Sequence, residues 1–443
     1  MSILRKKSSF DDTDDLAEYV YKEINSSNIP IEVIMLLFDT VFHASMETEE
    51  GKHIHVTITY YDPSSLSDSS KSQKVQVHEN WSFVPFEKPI VLDKRNLVKL
   101  SNGADPWSSS LAVSHDSASK LWIKGMIDQA IHLESFINFE GETKQEHPGI
   151  FQVSIMGIGN IGVRSASGQI ATLKRGSLLT KFKNVITNGS VAEVVKEISS
   201  NTDDELYDDL IKDEADLSEY DEYRVSSTIL YRNSLKRLLN RIRSYNHGGA
   251  LLITDVKKND SLRIKYPLKY PRLKDAIKKY CLNASKEAMY QQDNEEERTS
   301  LTEELWKILD SKKSISKEIK GAIRFIGSLA GVDGLILMDK TGTVNGFGVV
   351  IEKVQPPEKI YLSNTLTPTA ESLKEIDAKE LGTRHQSMFS YCNSHAGSLG
   401  FVISQDGDIR AVLKVGNKLI VWENIAVLKT ESFRPSPPKR KKV

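Results

Sequence analysis

Five short apolar runs in the C-terminal half of the chain constrain its fold more than any other feature. Such runs, rich in branched and aromatic residues and bounded by turn residues, are typical of buried strands. Segments with helical spacing separate them, which favours a mixed β-sheet with helices on its faces. We therefore predict an α/β fold of the mixed α+β kind. The predicted strands are 250–254, 334–339, 345–351, 399–404 and 408–413.

The N-terminal half is predicted to form a strand-rich module with an early helix. Val33, Leu36, Leu37 and Val41 fall at helical spacing. From residue 51 to about 177 the pattern changes to short β-branched and aromatic runs between Gly, Pro, Asn and Ser, which indicates strands. These runs are 55–61, 81–91, 120–126 and 150–155.

The composition is that of an ordinary globular protein, with 39% hydrophobic and 27% charged residues. The net charge of −1 indicates neither nucleic acid nor a membrane surface as a partner. The longest apolar runs, such as 33–38, are far too short to span a bilayer. No apolar signal segment is visible before residue 12, and two cysteines imply no disulfide framework. We therefore expect a cytoplasmic protein.

Charge runs mark the predicted boundaries between domains. Between positions 203 and 222 there are eleven acidic residues and one lysine. We interpret 191–224 as an acidic linker that contains a solvated helix between the domains, with an acidic interaction surface as the alternative. It would join the module 1–190 to a domain over 225–430. The basic run within 431–443 is interpreted as a disordered tail, with an import signal or a polyanion-binding segment as alternatives.

A candidate phosphate site is formed by Gly382, Thr383, Arg384 and His385, which precede a helix predicted for 386–393. Free N–H groups and the positive end of the macrodipole attract anions to a helix N-terminus. A guanidinium can hold a phosphate in a bidentate fork, and an imidazole can ligate a metal that rides on the phosphates. The alternative is a polar helix cap that carries two basic side chains.

A second candidate is Asp333 with Gly334, at the head of a predicted buried strand that follows a helix at 317–329. An acid beside a small residue can approach a metal or a ribose hydroxyl, although it can also cap a turn. By contrast, the G-x-G-x-x-G at 157–162 is rejected as a dinucleotide site. A strand-like run follows it, whereas the Rossmann motif must open a helix.

Taken in order, these motifs resemble the diadenylate cyclase (DAC) domain, the N-terminal domain of the bacterial DNA-integrity scanning protein. That family has D-G-A on a strand after a helix, then G-T-R-H-R at a helix start, then a buried strand that ends in Ser-Glu. An upstream strand, 248–254, extends the likeness over 225–430, with an extra helical insertion near 280–315. The matching residues are Asp333-Gly334-Leu335, Gly382-Thr383-Arg384-His385-Gln386 and Ser404-Gln405.

The resemblance implies that two such domains face each other and condense two ATP molecules into cyclic di-AMP. It also implies a divalent metal, Mg or Mn, brought with the bound nucleotide. Asp333 and His385 would then be the catalytic and metal-binding residues. The nucleotide and its phosphates would be held by Gly334, Gly382, Thr383, Arg384, Ser404 and Gln405.

Three positions depart from the family pattern. Leu335 replaces the alanine and adds bulk beside the nucleotide, while Gln386 replaces the second arginine. Gln405 replaces the glutamate, and an amide is a poorer metal ligand than a carboxylate. Because phosphoryl transfer relies on positioning and charge neutralisation, these changes should weaken turnover more than binding. Asp406, one residue further on, could substitute for the lost carboxylate.

Our leading hypothesis is a sensor or regulatory protein that recognises a nucleotide or a cyclic oligonucleotide. Its further partner would be a second copy of the chain or an effector protein, with no membrane or nucleic acid involved. By resemblance, such divergent domains are expected in bacterial defence signalling, including antiviral systems. The first alternative is an active diadenylate cyclase, or a related nucleotidyl cyclase. The second is an interaction scaffold that binds no nucleotide.

Overall fold

The chain divides into two compact units, Met1–Phe182 and Lys183–Val443. This division comes from a computed structural model of the protein. The residues that the structure describes are 11–24, 29–61, 76–77, 81–104, 108–129, 148–165, 168–174, 176–180, 182–212, 226–245, 247–255, 260–293, 303–377, 381–405 and 407–427.

The N-terminal unit contains the predicted early helix and run of strands, together with a preceding helix that the sequence did not indicate. Its helices are α1 (Thr13–Ile24), α2 (Ile31–Ala44) and α3 (Lys94–Ser101). Its strands are β1 (Thr48–Glu49), β2 (Lys52–His53), β3 (Thr57–Tyr60), β4 (Gln76–Val77), β5 (Trp81–Val91), β6 (Ser109–His115), β7 (Leu121–Gln129), β8 (Phe151–Gly157), β9 (Asn160–Ser165), β10 (Gly168–Lys174) and β11 (Ser177–Leu179).

Nine of these strands form one sheet in the order β11-β10-β9-β8-β3-β6-β7-β5-β4. The β3–β6 pair is parallel and the other pairs are antiparallel. Apolar residues of α2, such as Phe38 and Val41, pack in one core with Ile58 and Phe151 of the sheet. Asp93 caps α3 by accepting a hydrogen bond from the Asn96 N–H at 2.7 Å.

The glycine motif at 157–162 lies in a tight β8–β9 hairpin, in which Gly157 pairs with Asn160. No helix follows it, so it cannot offer a helix N-terminus to a pyrophosphate. The strand and turn predicted to follow this motif are confirmed.

The C-terminal unit contains helices α4 (Ser190–Lys212), α5 (Thr228–Ser244), α6 (Arg272–Asp293), α7 (Glu303–Ser328) and α8 (Thr383–Ser394). Its strands are β12 (Gly249–Ile253), β13 (Leu262–Tyr270), β14 (Leu335–Met338), β15 (Val344–Ile351), β16 (Ile360–Ser363), β17 (Leu373–Ile376), β18 (Leu399–Ile403), β19 (Ile409–Val415) and β20 (Lys418–Trp422). All five predicted strands are present within one or two residues of their predicted bounds.

These nine strands form a mixed sheet in the order β13-β15-β14-β12-β18-β19-β20-β16-β17. The β12–β14 and β16–β20 pairs are parallel, and the rest are antiparallel. One face packs against α8, whose Met388 and Phe389 share a core with Ala250 and Val402. On the other face, Ile242 of α5 reaches Gly249. The predicted mixed sheet with helices on its faces is confirmed.

The segment predicted as an acidic linker, 191–224, contains most of α4, whose residues Val191, Val195 and Ile198 are buried. Residues 213–224 and the basic tail 431–443 lie outside the described residues. Cys281 and Cys392 are buried free thiols, as expected from the lack of a disulfide framework. Within the described ranges, none of the helices combines the length and apolarity that a membrane crossing requires.

A close approach of two backbones fixes the start of β14. Gly334 has a φ of +120°, and a Cβ added there would lie 2.5 Å from the carbonyl carbon of Gly348. Gly348 itself has a φ of +61°. Only glycine satisfies both the left-handed backbone and the contact, so Gly334 has a structural reason that is independent of any ligand.

We predict that Gly334→Ala lowers the free energy of unfolding of the C-terminal unit by at least about 2 kcal/mol. Its cause is the positive φ together with the contact with the Gly348 backbone. The matched control is Gly321→Ala on α7, where no atom lies within 4 Å of the new Cβ. That control should stabilise by about 0.5–1 kcal/mol, the helix-propensity difference between the two residues. Urea unfolding checks both, and equal midpoints would contradict this packing.

Candidate phosphate-binding site

Three strands of the C-terminal sheet have adjacent ends. Gly249 at the start of β12 pairs with Ile403 at the end of β18. In the parallel β12–β14 pair Leu251 is level with Ile336, so Gly334 is level with Gly249. Because neighbouring strands are about 4.8 Å apart, these three ends form a row roughly 10 Å long.

The guanidinium of Arg384 lies on this row. Arg384 is the second residue of α8, which begins after Gly382, and its Nη1 is 2.7 Å from the place that a Cβ would take at Gly248. The Ile403 carbonyl oxygen and the Gln405 nitrogen are 2.8 and 3.1 Å from the same point. The side chain is partly buried, yet no described residue accepts a hydrogen bond from its guanidinium. An Arg in this state is suited to an anion.

Asp333 lies one residue before the row and is exposed. It comes two residues before β14, whose start lies beside β12 in the sheet. Gly382, Thr383 and Gln405 are also exposed at this edge. The structure therefore brings together the three segments that the sequence identified, around positions 333, 384 and 404.

His385 is buried, and its imidazole is hydrogen-bonded to a neighbouring strand. Arg410 on β19 donates from Nη1 to its Nε2 at 3.0 Å, and also from Nε to Glu423 at 2.7 Å. Because a guanidinium only donates, Nε2 carries no proton. Burial, and after it the charges of Arg410 and Arg384, lower the pKa of His385 to about 4. His385 is therefore neutral at pH 7, and its Nε2 accepts a hydrogen bond from the Arg410 guanidinium.

The remaining motif residues are used by the local fold. Ser404 Oγ accepts a hydrogen bond from the Asp408 N–H at 3.0 Å, while its own hydroxyl proton is still able to donate. Gln386 donates to the Leu381 carbonyl at 2.8 Å and so holds the start of α8. Leu335 is buried in the core beneath α8, so its bulk is directed into packing. Asp406 lies outside the described residues.

The donor set does not fit a divalent metal held by the protein alone. Nowhere in the described part of the chain do three His, Cys, Asp or Glu side chains come together as metal ligands would. Mg²⁺ requires several oxygen ligands, and of the candidate residues described at this edge Asp333 alone carries an exposed carboxylate. Nε2 of His385 is directed at Arg410, three strands away from β14. The site is built for an anion.

Sequence reasoning missed three residues of this site. Gly248 was seen only as part of a strand, although its φ of +67° and its contact with Arg384 make it essential. Arg410 was not singled out. Arg243 on α5 packs against Gly407, and burial lowers its pKa to about 10, against the opposing effect of Asp408. The pair Gly248-Gly249 before an apolar strand is the one local signal, because it marks a close backbone approach.

The N-terminal sheet buries hydrogen-bonded polar side chains on the face opposite its helices. Thr57 and Thr59 flank the core residue Ile58, so they point to that other face. Thr57 pairs with Ser154 at 2.8 Å, and Thr59 pairs with Ser110 at 2.7 Å. Gln152 donates to Thr59 at 2.9 Å. This face is polar although it is buried.

Tyr61 continues the same face with an unsatisfied hydroxyl. The side chain is 6% exposed and packs near Trp81 and Phe83, with ring centroids 6.2 and 6.4 Å away. Its hydroxyl has no hydrogen-bond partner among the described residues, and burial raises the pKa of Tyr61. Leaving a buried hydroxyl unpaired costs on the order of 1–3 kcal/mol, which is unusual outside functional sites.

The two units make this a mixed α/β protein, with helices packed on its sheets. Residues 26–128 match the family described as "Probable sensor domain DACNV". This match lies within the N-terminal unit and includes Tyr61, Trp81 and Phe83. A search of curated proteins finds no significant relative.

We predict that the stability of the C-terminal unit falls as the pH is lowered from about 6.5 towards 4. In the unfolded chain the imidazole takes up a proton near its ordinary pKa, whereas in the folded protein the pKa of His385 is about 4. The unfolded state therefore binds more protons between these two pH values, and unfolding becomes more favourable as the pH falls. The loss attributable to His385 is on the order of 2–3 kcal/mol. Urea unfolding at stepped pH values measures it.

His385→Gln should flatten this dependence, because Gln does not titrate. His247→Gln is the matched control, since His247 is exposed in the same unit and should leave the slope unchanged. An unchanged slope in His385→Gln would contradict the buried neutral imidazole.

Proposed function

We propose that the C-terminal unit binds a nucleotide or a cyclic oligonucleotide through its phosphates, and that the chain acts as a sensor. The observation that carries this proposal is the partly buried guanidinium of Arg384, which has no hydrogen-bond acceptor among the described residues. It lies at the start of α8, so the free N–H groups and the positive macrodipole end of the helix act on the same anion.

The surrounding charges support a phosphate at this position. Arg410 is paired with Glu423, and the charge of Asp408 acts on Arg243, whereas Arg384 has no ion pair with a described residue. Ser404 can donate its hydroxyl proton, and Thr383, the first residue of α8, is exposed. The exposed carboxylate of Asp333 suits a ribose hydroxyl rather than a phosphate.

The residues favour binding over turnover. A divalent cation, Mg²⁺ or Mn²⁺, would be bound to the phosphates, and Asp333 would be its protein ligand. Nε2 of His385 accepts a hydrogen bond from Arg410, and position 405 carries an amide in place of the family's carboxylate. With one carboxylate instead of two, charge neutralisation at the reacting phosphate is weakened.

The resemblance of 225–430 to the DAC domain and the match at 26–128 support one arrangement of functions. The letters DAC in the family's name agree with that resemblance. In this arrangement the N-terminal unit senses one signal and the C-terminal unit recognises a nucleotide. The output would pass to an effector protein or a second copy of the chain, in bacterial defence signalling.

We predict that Arg384→Ala weakens binding of ATP and of cyclic di-AMP about 10- to 100-fold, because a charge-assisted hydrogen-bond pair is lost. The affinity of Arg384→Lys should lie between those of the wild type and Arg384→Ala, since lysine keeps the charge but loses the bidentate fork. Arg272→Ala is the matched control. Arg272 is exposed and follows the C-terminal end of β13, at the edge of the sheet opposite to the candidate site. Calorimetric titration measures all four proteins. Equal affinities for wild type and Arg384→Ala would contradict the proposal.

We predict no steady formation of a cyclic dinucleotide when the protein is incubated with ATP and Mg²⁺ or Mn²⁺. Bound ligand at 100 times its Kd should still stabilise the protein by about 2.7 kcal/mol, which thermal unfolding detects. Multiple turnovers seen by mass spectrometry would instead establish an active cyclase. If neither a product nor thermal stabilisation by any nucleotide is observed, the remaining hypothesis is the interaction scaffold that binds no nucleotide.

A further inference from the structure

An aromatic pair lies on the same sheet face as Arg384. Tyr266 on the edge strand β13 pairs across the ladder with Phe347 on β15. Their rings are stacked, with centroids 4.9 Å apart and planes inclined by 20°. Ile264, two residues from Tyr266 on the same strand, packs against the core beneath α8, so Tyr266 faces the α8 side of the sheet.

The Tyr266 ring is held in place although it is 49% exposed. Its Cδ2 and Cε2 atoms lie 2.9 and 3.2 Å from the point that a Cβ would take at Gly348. Gly348 therefore leaves space for the ring, and any larger residue there would push the ring away. A large aromatic surface fixed by its neighbours and left open to solvent is a stacking platform.

The platform adjoins the candidate phosphate site. The Asp333 carbonyl oxygen is 3.5 Å from the point that a Cβ would take at Gly348, and the Tyr266 ring lies 2.9 Å from that same point. From β13 the sheet continues through β15 and β14 to β12, where Gly248 supports Arg384. Three strand spacings amount to about 14 Å. Asp333 lies between the aromatic pair and the guanidinium.

From this order we infer that Tyr266, backed by Phe347, stacks the base of the nucleotide whose phosphates Arg384 holds. The inference rests on the proposed function and adds a base subsite to it. Every base has a π-face, so stacking favours nucleotides over inorganic phosphates while discriminating little between bases. A ribose between the two groups would then meet the exposed carboxylate of Asp333.

The test compares two probes, ATP and inorganic tripolyphosphate, in calorimetric titrations of the full chain. Tyr266→Leu should weaken ATP binding about 5- to 100-fold, the usual effect of losing one base–aromatic stack. It should leave tripolyphosphate binding within about twofold. Tyr266→Phe should bind both probes as wild type does, because the ring is kept. Equal melting temperatures of the free proteins establish that the substitutions leave the fold intact.

The outcomes separate this inference from the proposed function. If wild type binds ATP and Tyr266→Leu binds it equally well, the base subsite is wrong while the phosphate site stands. Loss of both probes in equal measure also overturns the subsite. If wild type binds neither probe, the proposed function fails and the base subsite fails with it.

Discussion

The absence of a side chain at Gly248 is the constraint on which the C-terminal site depends. A Cβ at that position would lie 2.7 Å from Nη1 of Arg384 and 2.8 Å from the Ile403 carbonyl oxygen. Glycine therefore allows the start of α8 and the end of β18 to close on the start of β12. Without this approach the guanidinium could not lie on the row of strand ends.

The pairing of Arg410 with His385 and Glu423 determines which side chains remain available to a ligand. Arg410 lies between His385 and Glu423, which keeps the imidazole neutral and removes Nε2 from ligand chemistry. Arg384 is left to face the strand ends. An arrangement that offers a cation and helix N–H groups but few carboxylates attracts phosphate more strongly than it supports phosphoryl transfer. For this reason we favour recognition over catalysis.

Much of the fold could be predicted from sequence, because short apolar runs between turn residues indicate buried strands in any context. The segments around 333, 384 and 404 were also identified as candidate site segments. The roles of individual residues were harder, since they depend on contacts between distant elements. No pattern shows that Arg410 engages His385, or that Gly334 is required by the Gly348 backbone. The aromatic pair was missed because Tyr266 lies on a strand that the apolar pattern does not reveal.

The most direct test of the account is a crystal structure of the protein with a thiophosphate analogue of ATP, in which anomalous scattering locates the sulfur. We predict a phosphate oxygen or sulfur within hydrogen-bond distance of the Arg384 guanidinium, above Gly248 and at the start of α8. A nucleotide bound elsewhere, with Arg384 still lacking an acceptor, would contradict the central claim.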